Sequence, residues 1–503
     1  MTLDNRLRAI CDLSVPAARE NGRHEYDGQV QDLSCAGIRT GLARLGGPSY
    51  EDPHDDTHAG AAEESLRARF GEMELHRSSP LVHLDNLDLT SYERQYAPEE
   101  ERRQAVAEHL GRWPEVVDVA VTTLDRVPAP LARASIPLAR GLAADLDRAD
   151  GATRVAAERA LERLISHLDR AAEHGAPSAA LGGRVLARML STSEACEVEL
   201  STLAATVDAE RRRLRAELDE ACRRIDPKAE TEEVVRALRA DHPTAENLLA
   251  DTRKLVDEAL DWTERTGLAP YHDGECLVGH TPLAQRRAAA GLFGSAPAEM
   301  DSPSWFYVTP PDEDWTDREK DEWLGSYFNR ANLANIVIHE VAPGHFSHFR
   351  ALRRVSSPVR RTLISDVFQE GWAHYIEQVA LEEGFHAHDP AYPVGVHLDA
   401  LRRVARLAAA IGLHTGAMTI EDAAHQFRED AFLSGQSALA EARRGLFDPT
   451  YGRYTWGKLA ILDARERART AWGKGFSLPR FHTALLALGA PPIGLLDTAI
   501  ERG

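Results

Sequence analysis

The string HEVAPGH, residues 339–345, holds the residue types that a hydrolytic metal site needs. His339 and His345 offer imidazoles that can hold a zinc ion, and Glu340 offers a carboxylate that can take a proton from an activated water. Helical residues four positions apart lie only about 40° apart around the axis, whereas a spacing of six separates them by about 240°. Both histidines can therefore reach one ion only if the helix is interrupted between them.

The same string contains residues that interrupt helices. Pro343 removes a backbone hydrogen-bond donor, and Gly344 permits backbone conformations that other residues avoid. We therefore predict that the helix carrying His339 is broken between Ala342 and His345. The alternative interpretation is a helix end with surface histidines and no metal.

A second segment, LISDVFQEGWAHYIEQVALEEG, predicts an amphipathic helix over residues 363–384 that can supply a third ligand. Its apolar residues recur at helical spacing, and its polar residues share another face, at Asp366, Glu370, His374 and Glu377. Such a face can also be the solvated side of a surface helix. The apolar and aromatic neighbours of Glu370 favour the metal-site interpretation.

These motifs resemble those of a known bacterial family. HEVAPGH, EGWAHYIE and the later RYTWGKLAILDARERARTAWGKGFSLPRFHTALLALGAPPIGLL look like the family known as domain of unknown function 885, which is similar to gluzincin-type zinc metallopeptidases. The resemblance covers residues from about 200 to 503 by motif. It implies that zinc is held by His339, His345 and Glu370, with Glu340 as the catalytic glutamate. It also implies that Glu377 orients a ligand imidazole, and His374 is the rival third ligand.

The resemblance also implies residues that contact the substrate. Tyr454, in TYGRYTWG, matches the tyrosine with which related peptidases stabilise the oxyanion, and Tyr451 is a second candidate. Tyrosines that only cap a loop are the alternative. The strand around Tyr307, in WFYVT, resembles the edge strand that pairs with an extended substrate. Its alternative is a small hairpin that packs the core.

The chain departs from the family pattern at two positions. Ala410, in RLAAAIGLH, stands where the family often has Asp, and His348 stands where it usually has Gln. His348 is therefore a further candidate for substrate binding. Because the ligand set is intact while these positions differ, we expect an amide substrate that is either a small metabolite or a short peptide.

The elements that must position these residues are mainly helices. Residues 97–265 are rich in Ala, Leu, Arg and Glu and predict almost continuous helix. The aromatic stretch Trp305 to Thr309 predicts a short strand that ends at two prolines. These patterns predict a mostly α fold with a small β element near residues 275–310, and the family resemblance implies a large helical zincin-like fold around a deep cleft. An N-terminal helical region, 1–245, and a metal-site region, 246–503, would form one continuous catalytic fold.

Composition restricts the partners and the chemistry. The net charge of −20 argues against nucleic acids and anionic membranes as partners. The five cysteines form no CxxC pair, and no apolar run is long enough to cross a bilayer, which predicts a reduced, cytoplasmic protein. The motifs of serine hydrolases, P-loop enzymes and dinucleotide enzymes do not occur.

The sequence therefore predicts a zinc-dependent amide or peptide hydrolase. Another divalent metal is compatible with two histidines and a carboxylate. The alternative functions are a catalytically idle helical ligand-binding protein and a metalloenzyme of another class, such as a lyase. The oligomeric state is not specified.

Overall fold

The computed structural model describes residues 3–271, 273–282, 286, 288–299 and 302–503. These residues form a mostly α-helical fold with one small sheet, as predicted. In this described part, no helix combines the length and apolar character needed to cross a bilayer.

The helices before the sheet follow one another with short connections. They are α1 Asn5–Asp12, α2 Val15–Glu20, α3 Cys35–Arg44, α4 Pro53–Leu66, α5 Leu75–Ser78, α6 Pro80–Asp85, α7 Glu99–Thr123, α8 Ala129–Gly141, α9 Gly151–His174, α10 Gly183–Ser193, α11 Leu200–Ile225, α12 Thr231–Arg239 and α13 Leu248–Thr266. The predicted helical region, 97–265, is confirmed. α7, for example, begins after Pro98 with three glutamates in its first turn, where the helix dipole favours negative charge.

One three-stranded sheet interrupts the helices, with strands β1 Cys276–His280, β2 Ala290–Phe293 and β3 Ser304–Val308. β3 is the middle strand, parallel to β1 and antiparallel to β2. The predicted strand from Trp305 to Thr309 is confirmed with a shift of one residue. The prediction that it is an edge strand is wrong, because both of its sides are paired.

The helices after the sheet carry the candidate metal ligands. They are α14 Asp317–Tyr327, α15 Arg330–Glu340, α16 His345–Leu352, α17 Pro358–Thr362, α18 Asp366–Glu382, α19 Tyr392–Thr415, α20 Ile420–Ala431, α21 Gly435–Phe447, α22 Arg453–Trp472, α23 Leu478–Leu486 and α24 Asp497–Arg502. Side chains cap several of them; Ser365, for example, accepts a hydrogen bond from the Phe368 N–H at the start of α18.

The largest apolar core extends from Leu186 to Ala499 and so takes residues from both sides of residue 245. Smaller cores lie within residues 84–168 and within residues 3–70, the latter joined by Val359. The proposed regions 1–245 and 246–503 therefore share a core, although their division stays a prediction.

Ion pairs fasten the N-terminal helices to the C-terminal part of the chain. Asp52, which caps α4, accepts hydrogen bonds from Arg502 of α24 at 2.6 and 2.9 Å. Asp55, in the first turn of α4, accepts one from Arg360 of α17 at 2.6 Å. α4 is thus in direct contact with α17 and α24.

Candidate metal centre

The helix carrying His339 is interrupted, which confirms the prediction. α15 ends at Glu340, residues 341–344 form a turn, and α16 begins at His345. A Cβ added at Gly344 would lie 1.9 Å from the carbonyl oxygen of His339, so only glycine fits this turn. As a result the rings of His339 and His345 lie 4.8 Å apart and almost perpendicular.

The EGW sequence at residues 370–372 fixes α18 against this turn and against α22. The indole N–H of Trp372 donates to the carbonyl oxygens of Pro343 at 3.1 Å and Gly344 at 3.3 Å. Gly371 lies against Gly457 of α22 so closely that a Cβ would come within 2.5 Å of the Gly457 backbone. Together these contacts bring the glutamate of the motif opposite the two histidines.

His339, His345 and Glu370 form a cluster whose candidate ligand atoms all lie within 4.8 Å of one another. Oε2 of Glu370 is 3.6 Å from Nε2 of His339 and 3.3 Å from Nε2 of His345. Atoms bound at about 2.0–2.1 Å to a tetrahedral zinc ion lie about 3.3 Å from one another. The donor types and their separations therefore fit zinc, and the donor set also suits other divalent transition metals.

Electrostatics keep Glu370 ionised. Burial alone would raise its pKa, but His339 and His345 hold the pKa of Glu370 well below its usual value. Burial would likewise lower the pKa of His339, but the neighbouring carboxylates raise it to about 9. A metal ion must displace the proton of this imidazole in order to bind.

Glu377 binds Nδ1 of His339, the ring nitrogen that does not face the cluster. Its Oε1 accepts a hydrogen bond from Nδ1 of His339 at 2.5 Å, so that Nε2 faces the cluster. Its Oε2 accepts from Arg403 at 2.8 Å and from Asn335 at 3.0 Å. Burial would raise the pKa of Glu377, but Arg403 and the neighbouring histidines hold it well below its usual value. Glu377 thus occupies the position that suits the orienting role predicted for it.

His374, the rival ligand, contacts Glu377 instead of the cluster. Its Nδ1 donates to Oε2 of Glu377 at 3.3 Å. Burial lowers the pKa of His374 to about 3, so the imidazole is neutral. Because the three candidate ligands that converge are the two histidines and Glu370, the geometry favours Glu370 over His374.

Glu340 faces the edge strand β2. Its Oε2 accepts a hydrogen bond from the backbone N–H of Leu292 at 2.7 Å. Tyr307, in contrast, lies on the half-exposed face of the central strand, with its ring stacked on Trp305 at 5.5 Å. The prediction that the strand of Tyr307 offers an edge to the substrate is therefore wrong, because β3 is paired on both sides. The edge strand next to Glu340 is β2.

Tyr454 and Tyr451 lie in different surroundings. The ring of Tyr454, at the start of α22, is 6.4 Å from that of His339. Burial, together with the charge of Glu370, raises the pKa of Tyr454 to about 12. The phenol is therefore protonated at neutral pH and can donate a hydrogen bond. Tyr451 is buried and its hydroxyl donates to Glu441. Its predicted contact with the substrate is wrong, because that donor is used within the fold.

His348 also makes its contacts within the fold. It is fully buried, its Nε2 donates to the carbonyl oxygen of Gly489 at 3.2 Å, and its ring packs on Phe368. Burial lowers the pKa of His348 to about 3. The prediction that it binds substrate is wrong, because its ring fills the space between helices. Ala410, the other departure, is buried within α19.

Three contributors to the site were not predicted from the sequence. Asn335 lies one helical turn before His339, and this spacing could have identified it. Arg403 lies on α19, far along the chain, and belongs to no motif. The donor at Leu292 is its backbone N–H, a group that every residue except proline has, so the residue type does not identify it.

Two solved structures share this fold. One is a candidate lipoprotein of unknown function from Shewanella oneidensis, with a TM-score of 0.77 and 19% identity over 97% of this chain and 96% of that chain. The other is a candidate lipoprotein from Colwellia psychrerythraea, with a TM-score of 0.78 and 17% identity over 99% of this chain and 97% of that chain. At these identities the likeness establishes the fold alone.

This comparison contradicts the prediction of a cytoplasmic protein. Both solved structures are of proteins described as candidate lipoproteins. Scattered cysteines and the lack of a long apolar run were the grounds for that prediction, and neither feature specifies a compartment.

A comparison with curated proteins finds no match. Among protein families, residues 22–500 match the one described as a bacterial protein of unknown function, DUF885. The match includes HEVAPGH and EGWAHYIE, the motifs around which the cluster is built. The chain therefore belongs to the DUF885 family.

Proposed function

We propose that this protein is a gluzincin-like, zinc-dependent hydrolase that cleaves an amide or peptide bond in a small metabolite or short peptide. The observation that carries the proposal is the convergence of His339, His345 and Glu370 at separations that suit one tetrahedral ion. Glu340 lies directly beside this cluster in the sequence and at the end of the same helix as His339.

Each residue has a distinct part in the reaction. His339, His345 and Glu370 would hold the zinc ion, which would supply Lewis-acid chemistry to the substrate carbonyl and to a water. Glu340 accepts the proton of the attacking water and passes it to the leaving amine nitrogen. The N–H of Leu292 orients the carboxylate of Glu340 for this transfer. Tyr454 donates a hydrogen bond to the carbonyl oxygen as that oxygen gains negative charge.

The edge of β2 suits an extended substrate. β2 pairs with β3 on one side, and the Leu292 N–H on its other side points toward Glu340. A peptide that adds to this edge would bring its own backbone past the general base. This arrangement supports an amide substrate.

Metal content tests the proposal. Protein purified without chelator should contain about one zinc per chain, and His345→Ala should lose it. The matched control is His425→Ala, since His425 is an exposed histidine of α20. Hydrolysis of a panel of short peptides and N-acyl amino acids should stop on chelation and return when zinc is added.

The outcomes separate the alternatives. A protein that contains no transition metal and takes up no added zinc contradicts the metal site. A zinc-loaded protein that binds members of the panel without cleaving them is the idle binding protein. Product analysis that finds elimination instead of addition of water identifies a lyase.

A further inference from the structure

The free edge of β2 lies beside Glu340, the proposed general base. In an antiparallel pair, the backbone groups of alternate residues point to the neighbouring strand, and those of the residues between them point to the other side. The N–H of Leu292 bonds to Glu340 at 2.7 Å and therefore points away from β3. Gly291 and Phe293 consequently direct their backbone groups to β3. A peptide that adds to this edge would therefore lie next to the general base.

One face of the sheet carries a group of aromatic rings. Side chains alternate between the two faces of a strand, and directly paired residues share a face. Gly291 is paired with Tyr307, and the next pair on the same face is Phe293 with Trp305. The three aromatic residues are half-buried, whereas Phe306 on the opposite face is fully buried in the core. Phe293, Trp305 and Tyr307 thus form an accessible aromatic face.

The rings of the aromatic face form one continuous apolar surface. The ring of Tyr307 stacks on that of Trp305 at 5.5 Å and 11°. The ring of Phe293 lies 6.1 Å from that of Tyr307 and is tilted against it. A Cβ at Gly279 of β1 would lie 3.1 Å from the ring of Trp305 and 3.3 Å from that of Tyr307. Glycine at this position therefore lets the two rings lie close to the sheet.

Gly291 leaves a gap in the aromatic face, next to the free edge. A Cβ at Gly291 would meet no atom of the described residues within 4 Å. Glycine inside a strand weakens the strand and often marks a place where a ligand approaches closely. A substrate side chain opposite Gly291 would have Phe293 as its diagonal neighbour, a separation that aromatic rings can bridge. The gap also leaves the path from the edge to Tyr307 free.

β2 contacts both the general base and the helix of a metal ligand. Besides the bond from Leu292 to Glu340, Gly294 at the end of β2 packs on α16. A Cβ at Gly294 would overlap the ring of Phe349, and that ring stacks on His345 at 5.9 Å. The aromatic face therefore adjoins the proposed reaction site through the strand that carries it.

We propose that the gap at Gly291 and the aromatic face together bind an aromatic side chain of the substrate. The inference rests on the proposed function, since it assigns a substrate class to the same site. In peptide binding to a strand edge, backbone pairing provides affinity and the side chains on alternate positions provide specificity. Aromatic rings attract one another at centroid separations of about 4.5–7 Å, in stacked or tilted arrangements. The substrates are therefore short amides with phenylalanine, tyrosine or tryptophan close to the bond that is cleaved.

Direct binding to the metal-free full-length protein tests the inference independently of turnover. The probes are N-acetyl-Ala-Phe-Ala amide and the same peptide with Ala or Lys at its central position. Isothermal titration calorimetry measures their affinities for the parent, Gly291→Val and Tyr307→Ala. Valine at position 291 fills the gap and favours the strand. His280→Val is the matched control, because it places the same side chain at an exposed position of β1, which does not border β2.

The parent should bind the Phe peptide about 10- to 100-fold more tightly than the Ala peptide, as expected for the burial of a large apolar side chain. Gly291→Val should remove this preference, and His280→Val should keep it. Tyr307→Ala should reduce the preference, because one ring of the aromatic face is lost. If Gly291→Val does not fold, the reduction in Tyr307→Ala decides the test.

Equal affinities of the parent for the Phe and Ala peptides, or no binding of either at millimolar concentration, overturn the inference. Tightest binding of the Lys peptide, or a preference for Phe that is unchanged in Gly291→Val or in Tyr307→Ala, does so as well. Because the metal is absent from this experiment, a failed zinc site would leave the aromatic preference intact. Conversely, a missing aromatic preference would leave the zinc content of the purified protein unchanged.

Discussion

Glu340 and Glu370 have separable parts in the proposed reaction. Glu370→Ala should lose zinc, because only two imidazoles would remain as ligands. Glu340→Gln should retain zinc and its fold but lose about 10²–10⁴-fold in turnover, because an amide cannot accept the proton. Elemental analysis and hydrolysis of the substrate panel measure the two effects.

The outcome is decisive because both variants should be inactive while differing in metal. Full activity of Glu340→Gln on a substrate that the parent cleaves would rule out its role as the base. Retention of zinc by Glu370→Ala would indicate that His374 or Glu377 supplies the third ligand instead.

Tyr454 offers a second test at the level of single residues. Removing its hydroxyl in Tyr454→Phe should lower kcat by about 10²–10³-fold with little change in KM or zinc content, because the donor acts on charge that develops during the reaction. Tyr451→Phe is the control, since its hydroxyl donates to Glu441 within the fold. Equal kcat values for the two variants would remove Tyr454 from the mechanism.

At the level of elements, the crossing of α18 and α22 holds Glu370 next to Tyr454. A Cβ at Gly457 would lie 1.9 Å from the carbonyl oxygen of Val367 and 2.7 Å from Cα of Gly371, so the helices would have to separate. Gly457→Ala should therefore lower the free energy of unfolding by about 1–3 kcal/mol and weaken zinc binding. Denaturant unfolding and zinc titration measure these effects.

Gly111→Ala is the control for that substitution. Gly111 lies in α7, and a Cβ there would meet no atom within 4 Å. It should be neutral or stabilise the protein by up to about 1 kcal/mol, as alanine favours helix. If Gly457→Ala proves equally harmless, the close crossing does not position the site.

The sequence predicts the local parts of this arrangement well. Pro343 and Gly344 identify the helix break because both act on the backbone where they stand, and helical spacing identifies the polar face of Glu370. The contacts of Trp372 with the turn, and of Gly371 with Gly457, join distant residues, so no local pattern reveals them.

Two errors have the same origin. The prediction that the strand of Tyr307 lies at an edge fails because the composition of a strand does not show which strands pair with it. His348 and Tyr451 were expected at the substrate because their residue types allow it, whereas burial and long-range partners decide otherwise.

For the whole molecule, Glu194 couples stability to pH. Its Oε2 accepts hydrogen bonds from Ser365, the cap of α18, at 2.8 Å and from the Ile493 N–H at 3.1 Å. Burial raises the pKa of Glu194 to about 7, above its value of 4.5 in an unfolded chain. The folded state therefore holds this proton more tightly, and the associated stability is present below pH 4.5 and lost as the pH rises through 7.

Glu194→Gln should remove this loss, which is up to about 3 kcal/mol. The free energy of unfolding of the variant, relative to the parent, should increase between pH 5 and pH 8 in denaturant titrations. Glu197→Gln, at an exposed position on the same loop, should leave the slope of the parent unchanged. A parallel pair of curves for Glu194→Gln and the parent would show that the buried carboxyl does not titrate in this range.

The ion pair of Asp52 with Arg502 has a consequence for folding during translation. During translation α4 leaves the ribosome first, and its contacts with Arg360 and Arg502 can form only after 305 and 450 further residues have been added. Until then α4 lacks these two ion pairs on the nascent chain.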